Sequence, residues 1–219
     1  MIFFYDLYNG SNQLLLPPLI NSNARILYLY AKKILGSRWD EAEPFIMTDV
    51  YCVIDYAKYV IDGRWPEAEH MLYEYPRIAT AYAINIINGR FHGAEEAIKK
   101  SYCAYEYTRG IIKGRWIEAE PYIMEIPRDA YYYATYILKD RWIEAEPHIM
   151  KNARYAYYYA QYVIKDRWIE AEPYIMKKPD DAYYYATYIL KDRWIEAEPY
   201  IMKSAYKDTY HVFYTSKNN

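Results

Sequence analysis

The chain has 219 residues, a formal net charge of −2 and 53% hydrophobic residues, with 32 tyrosines and only seven glycines. It contains no long uncharged apolar run for a membrane span, and its 27 basic and 29 acidic residues give no overall attraction to a polyanion. Because no phosphate-binding loop, serine-hydrolase elbow or HExxH motif occurs, we expect a folded cytoplasmic protein without enzymatic activity, catalytic residues or a cofactor.

Residues 1–23 share no pattern with the rest of the chain. They contain the apolar patch Leu14-Leu15-Leu16 followed by Pro17-Pro18. We predict an irregular N-terminal cap, because repeat arrays need their open ends covered to stay soluble. A secretory signal is the alternative, but no basic region precedes the apolar patch, and Asp6 lies near the start.

An internal repeat begins with the half unit Ala24 to Leu35 and continues to about residue 214. Its marker is an arginine followed by an aromatic residue, spaced 26 residues apart at every step but one, which is 25. The seven markers are Arg38-Trp39, Arg64-Trp65, Arg90-Phe91, Arg115-Trp116, Arg141-Trp142, Arg167-Trp168 and Arg193-Trp194. A fixed period in this range is typical of a stack of small supersecondary units.

Each unit carries two apolar stripes at helical spacing. In the unit that starts at Arg115, the first stripe is Trp116, Ala119 and Ile123, and the second is Ala130, Tyr133, Ala134, Ile137 and Leu138. Two stripes with one buried face each indicate a helical hairpin. The sequence therefore predicts an all-α fold, an α-solenoid of about seven helix-turn-helix repeats over residues 24–214, with a tail at 215–219.

The turns between helices are marked by residues with special backbone preferences. Gly63, Gly89 and Gly114, replaced later by Asp140, Asp166 and Asp192, precede each marker arginine and are expected to adopt the left-handed conformation that follows a helix. Pro121 and its equivalents are compatible with the first helix only if that helix starts near the preceding glutamates. In the 25-residue unit both stripes are kept, so the lost residue is placed in the loop near residues 99–101.

Some polar residue types recur without an enzymatic pattern. Cys52 and Cys103 lie two units apart and are predicted to be reduced. The four histidines fall at different offsets within their units, so they would not converge on a metal, and no metal site is predicted.

The marker arginines and a glutamate five residues later recur together, which predicts a structural ladder of Arg–Glu pairs within or between repeats. Its clearest members are Arg115, Glu120, Arg141, Glu146, Arg167, Glu172, Arg193 and Glu198.

The tyrosines divide into two groups. Tyr133 and its equivalents belong to the core stripe, where the hydroxyl needs water or a partner. A second group falls off the stripe: Tyr132, Tyr136, Tyr158, Tyr162, Tyr184 and Tyr188. Rows of exposed tyrosines suit a protein-binding surface, because tyrosine supplies rigid contact area at low entropic cost. Lateral packing between adjacent hairpins explains the same rows equally well.

The segment AYYYATYILKDRWIEAEPHIM, from Ala130 to Met150, resembles short tandem helical repeats of uncharacterised proteins from tailed bacteriophages and large viruses. The resemblance covers about residues 24–214. The predicted architecture is similar to tetratricopeptide solenoids, but the unit is shorter and lacks their 34-residue period and signature residues. This resemblance implies a viral source and carries no activity.

Three functions remain open from the sequence. The leading hypothesis is a non-enzymatic interaction protein that binds, and blocks, a host protein such as a bacterial defence component. A binder of nucleotides or single-stranded nucleic acid is the second, with tyrosines stacking on bases and a local strip of Lys139, Lys165 and Lys191, although the overall charge argues against a strand. Self-association of the near-identical units is the third.

Overall fold

The structure, a computed structural model, describes residues 23–215, without the side chains of residues 213 and 215. The predicted cap therefore lies outside the described residues except for Asn23, as does the tail beyond residue 215. In the described part, the chain is all-α, without strands, and consists of helical hairpins of the α-solenoid type. The hairpins fall into two compact units divided between Ile98 and Lys99.

The second helix of each hairpin is twelve residues long, or nine in the hairpin that contains Ala104–Ile112, and its backbone hydrogen bonding changes in the middle. An α-helical half runs directly into a π-helical half of five residues. The paired halves are Ala24–Tyr30 with Ala31–Leu35, Val50–Tyr56 with Ala57–Ile61, Pro76–Tyr82 with Ala83–Ile87, Ala104–Tyr107 with Thr108–Ile112, Pro127–Tyr133 with Ala134–Leu138, Ala153–Tyr159 with Ala160–Ile164, and Pro179–Tyr185 with Ala186–Leu190. The π-helical half also recurs in the repeat, since it appears in every second helix from Ala24 to Leu190.

The first helix of each hairpin is short. In the second compact unit, one turn of 3₁₀ helix leads into one turn of α-helix: Ile117–Ala119 with Glu120–Ile123, Ile143–Ala145 with Glu146–Ile149, Ile169–Ala171 with Glu172–Ile175, and Ile195–Ala197 with Glu198–Ile201. The α-helical turn begins at the glutamate before the proline, so Pro121 lies in its first turn, where its missing N–H leaves no bond unmade. Elsewhere the first helices are Glu43–Ile46, Pro66–Leu72 and His92–Lys99, and the last helix described is Lys207–Thr215.

The turn after each second helix differs from the sequence expectation. The left-handed residue is Asp62, Asn88, Lys113, Lys139, Lys165 or Lys191, one position before the predicted glycine or aspartate, and Gly36 takes that place in the half unit. In the second compact unit, Asp140, Asp166 and Asp192 instead accept the backbone N–H of the next arginine through their side chains. The prediction was wrong by one residue, because the lysine N–H closes the π-helical turn onto the carbonyl five residues back, as Lys165 does with Ala160 at 2.7 Å.

The core follows the predicted stripes with one change. Trp116, Ala119 and Ile123 are buried, as are Ala130 and Tyr133 with their neighbour Ala134. Ile137 and Leu138, which the second stripe places in the core, are only half-buried. Both residues lie in the π-helical half, where the i to i+5 bonding changes the number of residues per turn and rotates them away from the α-helical register.

Candidate functional site

The recurrent arginine and glutamate form an ion pair inside each hairpin. Arg141 donates from Nε and Nη2 to the two carboxylate oxygens of Glu146, both at 2.9 Å. The same two-pronged pairing joins Arg38 to Glu43, Arg64 to Glu69, Arg90 to Glu95, Arg115 to Glu120, Arg167 to Glu172 and Arg193 to Glu198. The hydrogen bond to Glu146 raises the pKa of the Arg141 guanidinium above its usual value. These arginines are therefore already occupied by carboxylates and are poor phosphate contacts.

A buried tyrosine also donates its hydroxyl to the glutamate of these pairs at Glu43, Glu69, Glu120, Glu146, Glu172 and Glu198. The Tyr133 hydroxyl accepts the backbone N–H of Trp116 at 2.8 Å and donates to Glu120 Oε1 at 2.9 Å. Its ring lies 4.9 Å, centroid to centroid, from the ring of Trp142 in the next hairpin. Burial raises the pKa of Tyr133 well above the usual tyrosine value. The core tyrosines thus join the two helices of one hairpin and pack against the next hairpin, so their role is structural.

A second set of tyrosines forms a continuous chain of rings in the second compact unit. Successive centroids lie 4.7 to 5.9 Å apart. In spatial order the rings belong to Tyr105, Tyr132, Tyr131, Tyr158, Tyr157, Tyr184, Tyr183 and Tyr206. We call these eight residues the tyrosine chain. It runs across the second helices of successive hairpins to Tyr206, just before the last helix; Tyr131 and Tyr157 are buried and the other six rings are half-buried.

The six predicted surface tyrosines take two different positions relative to this chain. Tyr132, Tyr158 and Tyr184 are half-buried members of it, packed laterally between neighbouring second helices. Tyr136, Tyr162 and Tyr188 are 55%, 54% and 52% exposed, and each contacts the chain tyrosine four residues earlier at a centroid distance of 6.0 to 6.2 Å. Lateral packing therefore describes Tyr132, Tyr158 and Tyr184, whereas Tyr136, Tyr162 and Tyr188 form an exposed row for which protein binding stays a prediction. We call the tyrosine chain together with Tyr136, Tyr162 and Tyr188 the tyrosine face.

The apolar pattern of the sequence does not indicate every member of the chain. Tyr131 and Tyr157 are buried, yet they lie off the apolar stripe of their helices. The available signal was the triplet Tyr-Tyr-Tyr, which recurs at 131–133, 157–159 and 183–185. Its third tyrosine enters the core, while the first two face the neighbouring helix. Tyr105 and Tyr206 stand outside such triplets and carried no signal of their own.

Arginines border the tyrosine face and are held by buried carboxylates. Arg154 donates from Nε to the buried Asp181 of the next hairpin, and its guanidinium carbon lies 5.9 Å from the centroid of the Tyr158 ring. Arg128 donates to the buried Asp129 at 2.7 Å. Both arginine side chains remain about half exposed, at 48% and 54%. The face thus offers rigid rings and oriented cationic groups, the residue types that dominate protein interfaces.

Within residues 23–215, no group of three or more histidine, cysteine, aspartate or glutamate side chains could hold a metal ion. No helix in that range is long and apolar enough to cross a membrane. Comparison of the chain with protein families, curated proteins and solved structures finds no match.

Proposed function

We propose that this chain is a non-enzymatic protein-interaction module whose tyrosine face binds a partner protein. The observation that carries the proposal is the continuous tyrosine chain, which supplies three exposed tyrosine rings from successive hairpins on a packed aromatic support. Tyr136 and its two equivalents each rest on a half-buried ring, so little side-chain freedom is lost on binding. Preorganised aromatic groups of this kind are typical anchors of protein interfaces.

A narrower proposal concerns the partner. The resemblance to phage and viral repeats suggests a cytoplasmic host protein, such as a bacterial defence component, which the chain would inhibit by covering its surface. Contacts along successive repeats form an extended binding surface. Such a surface could cover the active part of another protein without any catalytic step. This narrower proposal rests on the resemblance alone.

A nucleotide or a nucleic-acid strand is the alternative ligand for the tyrosine face. Lys139, Lys165 and Lys191 are exposed, but each is followed directly by an exposed aspartate. A strand would meet these carboxylates together with the lysines, so the strip gives little net attraction. Charge therefore favours a protein over a polyanion as the ligand of the tyrosine face.

The test compares three tagged proteins purified from a bacterial lysate. The first is the wild type; the second carries Tyr136→Ser, Tyr162→Ser and Tyr188→Ser; the third is a matched control that carries Tyr51→Ser, Tyr75→Ser and Tyr102→Ser. The control tyrosines are 66%, 48% and 61% exposed, so the control loses similar side chains from outside the tyrosine face. Retained helicity in all three proteins, measured by circular dichroism, is a condition of the comparison.

We expect the wild type and the control to retain the same stoichiometric protein, identified by mass spectrometry, and the face variant to lose it. Equal retention by the face variant would reject the tyrosine face as the binding surface. A raised ratio of absorbance at about 260 nm to that at about 280 nm, lost after denaturation and filtration, would instead establish a bound nucleotide.

A further inference from the structure

Two tyrosine hydroxyls meet where the tyrosine chain reaches its last member. Tyr184 donates a hydrogen bond of 2.5 Å from its hydroxyl to the hydroxyl of Tyr206, at the short end of the range for O–H···O bonds. The centroids of the two rings are 5.1 Å apart, and both side chains are half-buried. In each ring the carbon that bears the hydroxyl lies between the two Cε carbons. A hydroxyl contact between rings this close therefore also brings Cε carbons of the two rings near one another.

Neighbouring contacts hold this pair in place. The ring of Tyr183 stacks on the ring of Tyr206 at a centroid distance of 4.7 Å and an angle of 10°. The backbone N–H of Tyr206 donates to Oγ of the buried Ser204 at 3.1 Å. Tyr183 also contacts Tyr210 of the last helix, with centroids 6.5 Å apart. Packing and a backbone turn thus fix both rings relative to each other.

The arrangement differs from that of the same positions elsewhere in the repeat. Two repeats earlier, Tyr132 and Tyr155 hold the positions of Tyr184 and Tyr206. Their rings meet edge to face, at 6.3 Å and 67°. The last unit is one residue shorter in the segment that carries Tyr206, since its hydrogen bond from the tryptophan N–H to the core tyrosine spans sixteen residues instead of seventeen. The close pair of Tyr184 and Tyr206 is therefore specific to the last unit.

We propose that Tyr184 and Tyr206 form a site of oxidative dityrosine cross-linking, with hydrogen peroxide as the oxidant and a haem peroxidase as the catalyst. Each phenol gives up one electron and one proton and becomes a phenoxyl radical with spin density on its Cε carbons. The two radicals join through a Cε–Cε bond, and the hydrogen on each of these carbons moves as a proton to the oxygen of its own ring, which restores two phenols. The two electrons and two protons that leave the pair reduce one molecule of hydrogen peroxide to two molecules of water.

Contact between the hydroxyls favours this pair over tyrosines that meet only by diffusion. Groups held together react in a unimolecular step, which removes the entropic cost of an encounter. The hydrogen bond to Tyr206 raises the pKa of Tyr184 to about 12, so Tyr184 remains protonated and the contact persists at neutral pH. The difference from Tyr132 and Tyr155 predicts a cross-link at one place in the tyrosine chain and not throughout it.

The cross-link fastens the last helix, Lys207–Thr215, to the preceding hairpin. The two tyrosines are 22 residues apart in the chain, so a covalent bond between them restricts the unfolded chain. The native contact already exists, because the Tyr214 hydroxyl of the last helix donates to the Ala186 carbonyl at 3.2 Å. The product is therefore a covalent staple that leaves the folded arrangement in place.

Peptide mapping after mild oxidation tests the site. The dilute, purified protein is treated with hydrogen peroxide and a haem peroxidase, and the band of single-chain mass from a denaturing gel is digested with trypsin. Trypsin places Tyr184 and Tyr206 in separate peptides, 178–191 and 204–207. We expect these peptides to be joined, with a mass two hydrogen atoms below their sum. They should be several-fold more abundant than the joined peptides that carry Tyr132 and Tyr155, and unfolding in urea before oxidation should remove this preference.

Single substitutions by phenylalanine identify the reacting pair while keeping the rings packed. Tyr184→Phe and Tyr206→Phe should each lower the yield of the joined peptides at least about 10-fold, because a hydroxyl of the pair is lost. Tyr183→Phe is the matched control: its ring also contacts Tyr206, and the yield should stay within about two-fold of the wild type. Circular dichroism should show equal helicity in all of these proteins.

Thermal unfolding of the oxidised protein tests the staple itself. We expect the cross-linked wild type to melt roughly 5 °C or more above the untreated protein, and oxidised Tyr184→Phe to show no such rise. Absence of the joined peptides in the wild type, an undiminished yield in Tyr184→Phe, an equal yield in urea, or an unchanged melting temperature would overturn the proposal. Tyr184→Phe keeps Tyr136, Tyr162 and Tyr188 and should still bind the partner of the tyrosine face, so the two proposals fail separately.

Discussion

The Tyr159 hydroxyl accepts a hydrogen bond of 2.6 Å from the backbone N–H of Trp142, seventeen residues earlier in the chain. The same hydroxyl donates to Glu146 Oε1 at 3.3 Å, and the Tyr159 ring lies 5.2 Å from the ring of Trp168 in the next hairpin. One side chain therefore joins the two helices of its own hairpin and packs against the following one. This relationship recurs along the repeat and is a main source of its regularity.

Replacing Tyr159 by phenylalanine should destabilise the protein. The ring contact with Trp168 is kept, but the Trp142 N–H is left buried without an acceptor, at a cost of about 1 to 3 kcal/mol in the free energy of unfolding. Tyr162→Phe is the matched control, because Tyr162 is half exposed, and it should change stability by less than about 0.5 kcal/mol. Urea unfolding followed by circular dichroism measures both. Equal stability of the two variants would show that the hydroxyl bond contributes nothing net.

Replacing Glu146 by alanine should lower stability without affecting binding. The change removes the acceptor of Arg141 and of the Tyr159 hydroxyl. The Arg141 side chain is 44% exposed, so water can hydrogen-bond to the guanidinium in place of the removed carboxylate. We therefore expect the free energy of unfolding to fall by only about 1 to 2 kcal/mol. Glu144→Ala, at an exposed neighbouring position, should be nearly neutral. Thermal unfolding checks stability, and loss of partner binding with unchanged stability would contradict a purely structural role for Glu146.

Replacing Lys165 by glycine should stabilise the protein. Lys165 has a φ of 61°, a left-handed conformation that costs a residue with a Cβ about 1 to 2 kcal/mol and costs glycine almost nothing. Glycine also gives the unfolded chain more conformational freedom, which offsets part of this benefit. We therefore expect the free energy of unfolding to rise by about 0.5 to 1 kcal/mol. Asp166→Gly should instead destabilise, since it removes the acceptor of the Arg167 N–H. If Lys165→Gly lowered the melting temperature and Asp166→Gly raised it, the left-handed residue would be at position 166 instead.

Alkaline pH should unfold the protein through its buried tyrosines. Burial raises the pKa of Tyr56 and Tyr82 to about 12, whereas an unfolded tyrosine ionises near pH 10. Because the folded pKa is the higher one, their contribution to stability is complete below about pH 10 and is lost as pH rises towards about 12. A titration that follows tyrosinate absorbance and helicity together should show a late ionisation step that coincides with loss of helix. Complete ionisation with helicity intact would contradict this.

The sequence pattern is enough to predict the helical hairpins, but it does not predict their turns or the lateral contacts between them. Periodicity identifies the buried stripe of Ala130 and Tyr133, because one helix face must meet the core. It does not reveal that the helix becomes π-helical at Ala134, since that change depends on backbone bonding that no residue type marks. Residue preference pointed to Asp140 as the left-handed residue, but its carboxylate is used to accept an N–H. Lysine at the preceding position adopts the strained conformation because the π-helical turn requires it there.

The candidate site was predictable only in outline. The recurrence of Tyr136 and its equivalents off the apolar stripe indicated exposed rows, and they are exposed. The lateral packing that joins Tyr132 to Tyr131 and Tyr158 depends on how neighbouring hairpins stack, which a pattern within one helix does not contain. For the same reason, the cross-hairpin pair of Arg154 and Asp181 could not be read from the sequence.

The most direct test of the central claim is tyrosine footprinting of the purified complex. The protein is iodinated or nitrated with and without its co-purified partner, and each tyrosine is quantified by mass spectrometry. We predict several-fold protection of Tyr136, Tyr162 and Tyr188 in the complex, with Tyr51 and Tyr75 labelled equally in both states. Equal labelling of the three tyrosines in free and bound protein would contradict binding through the tyrosine face.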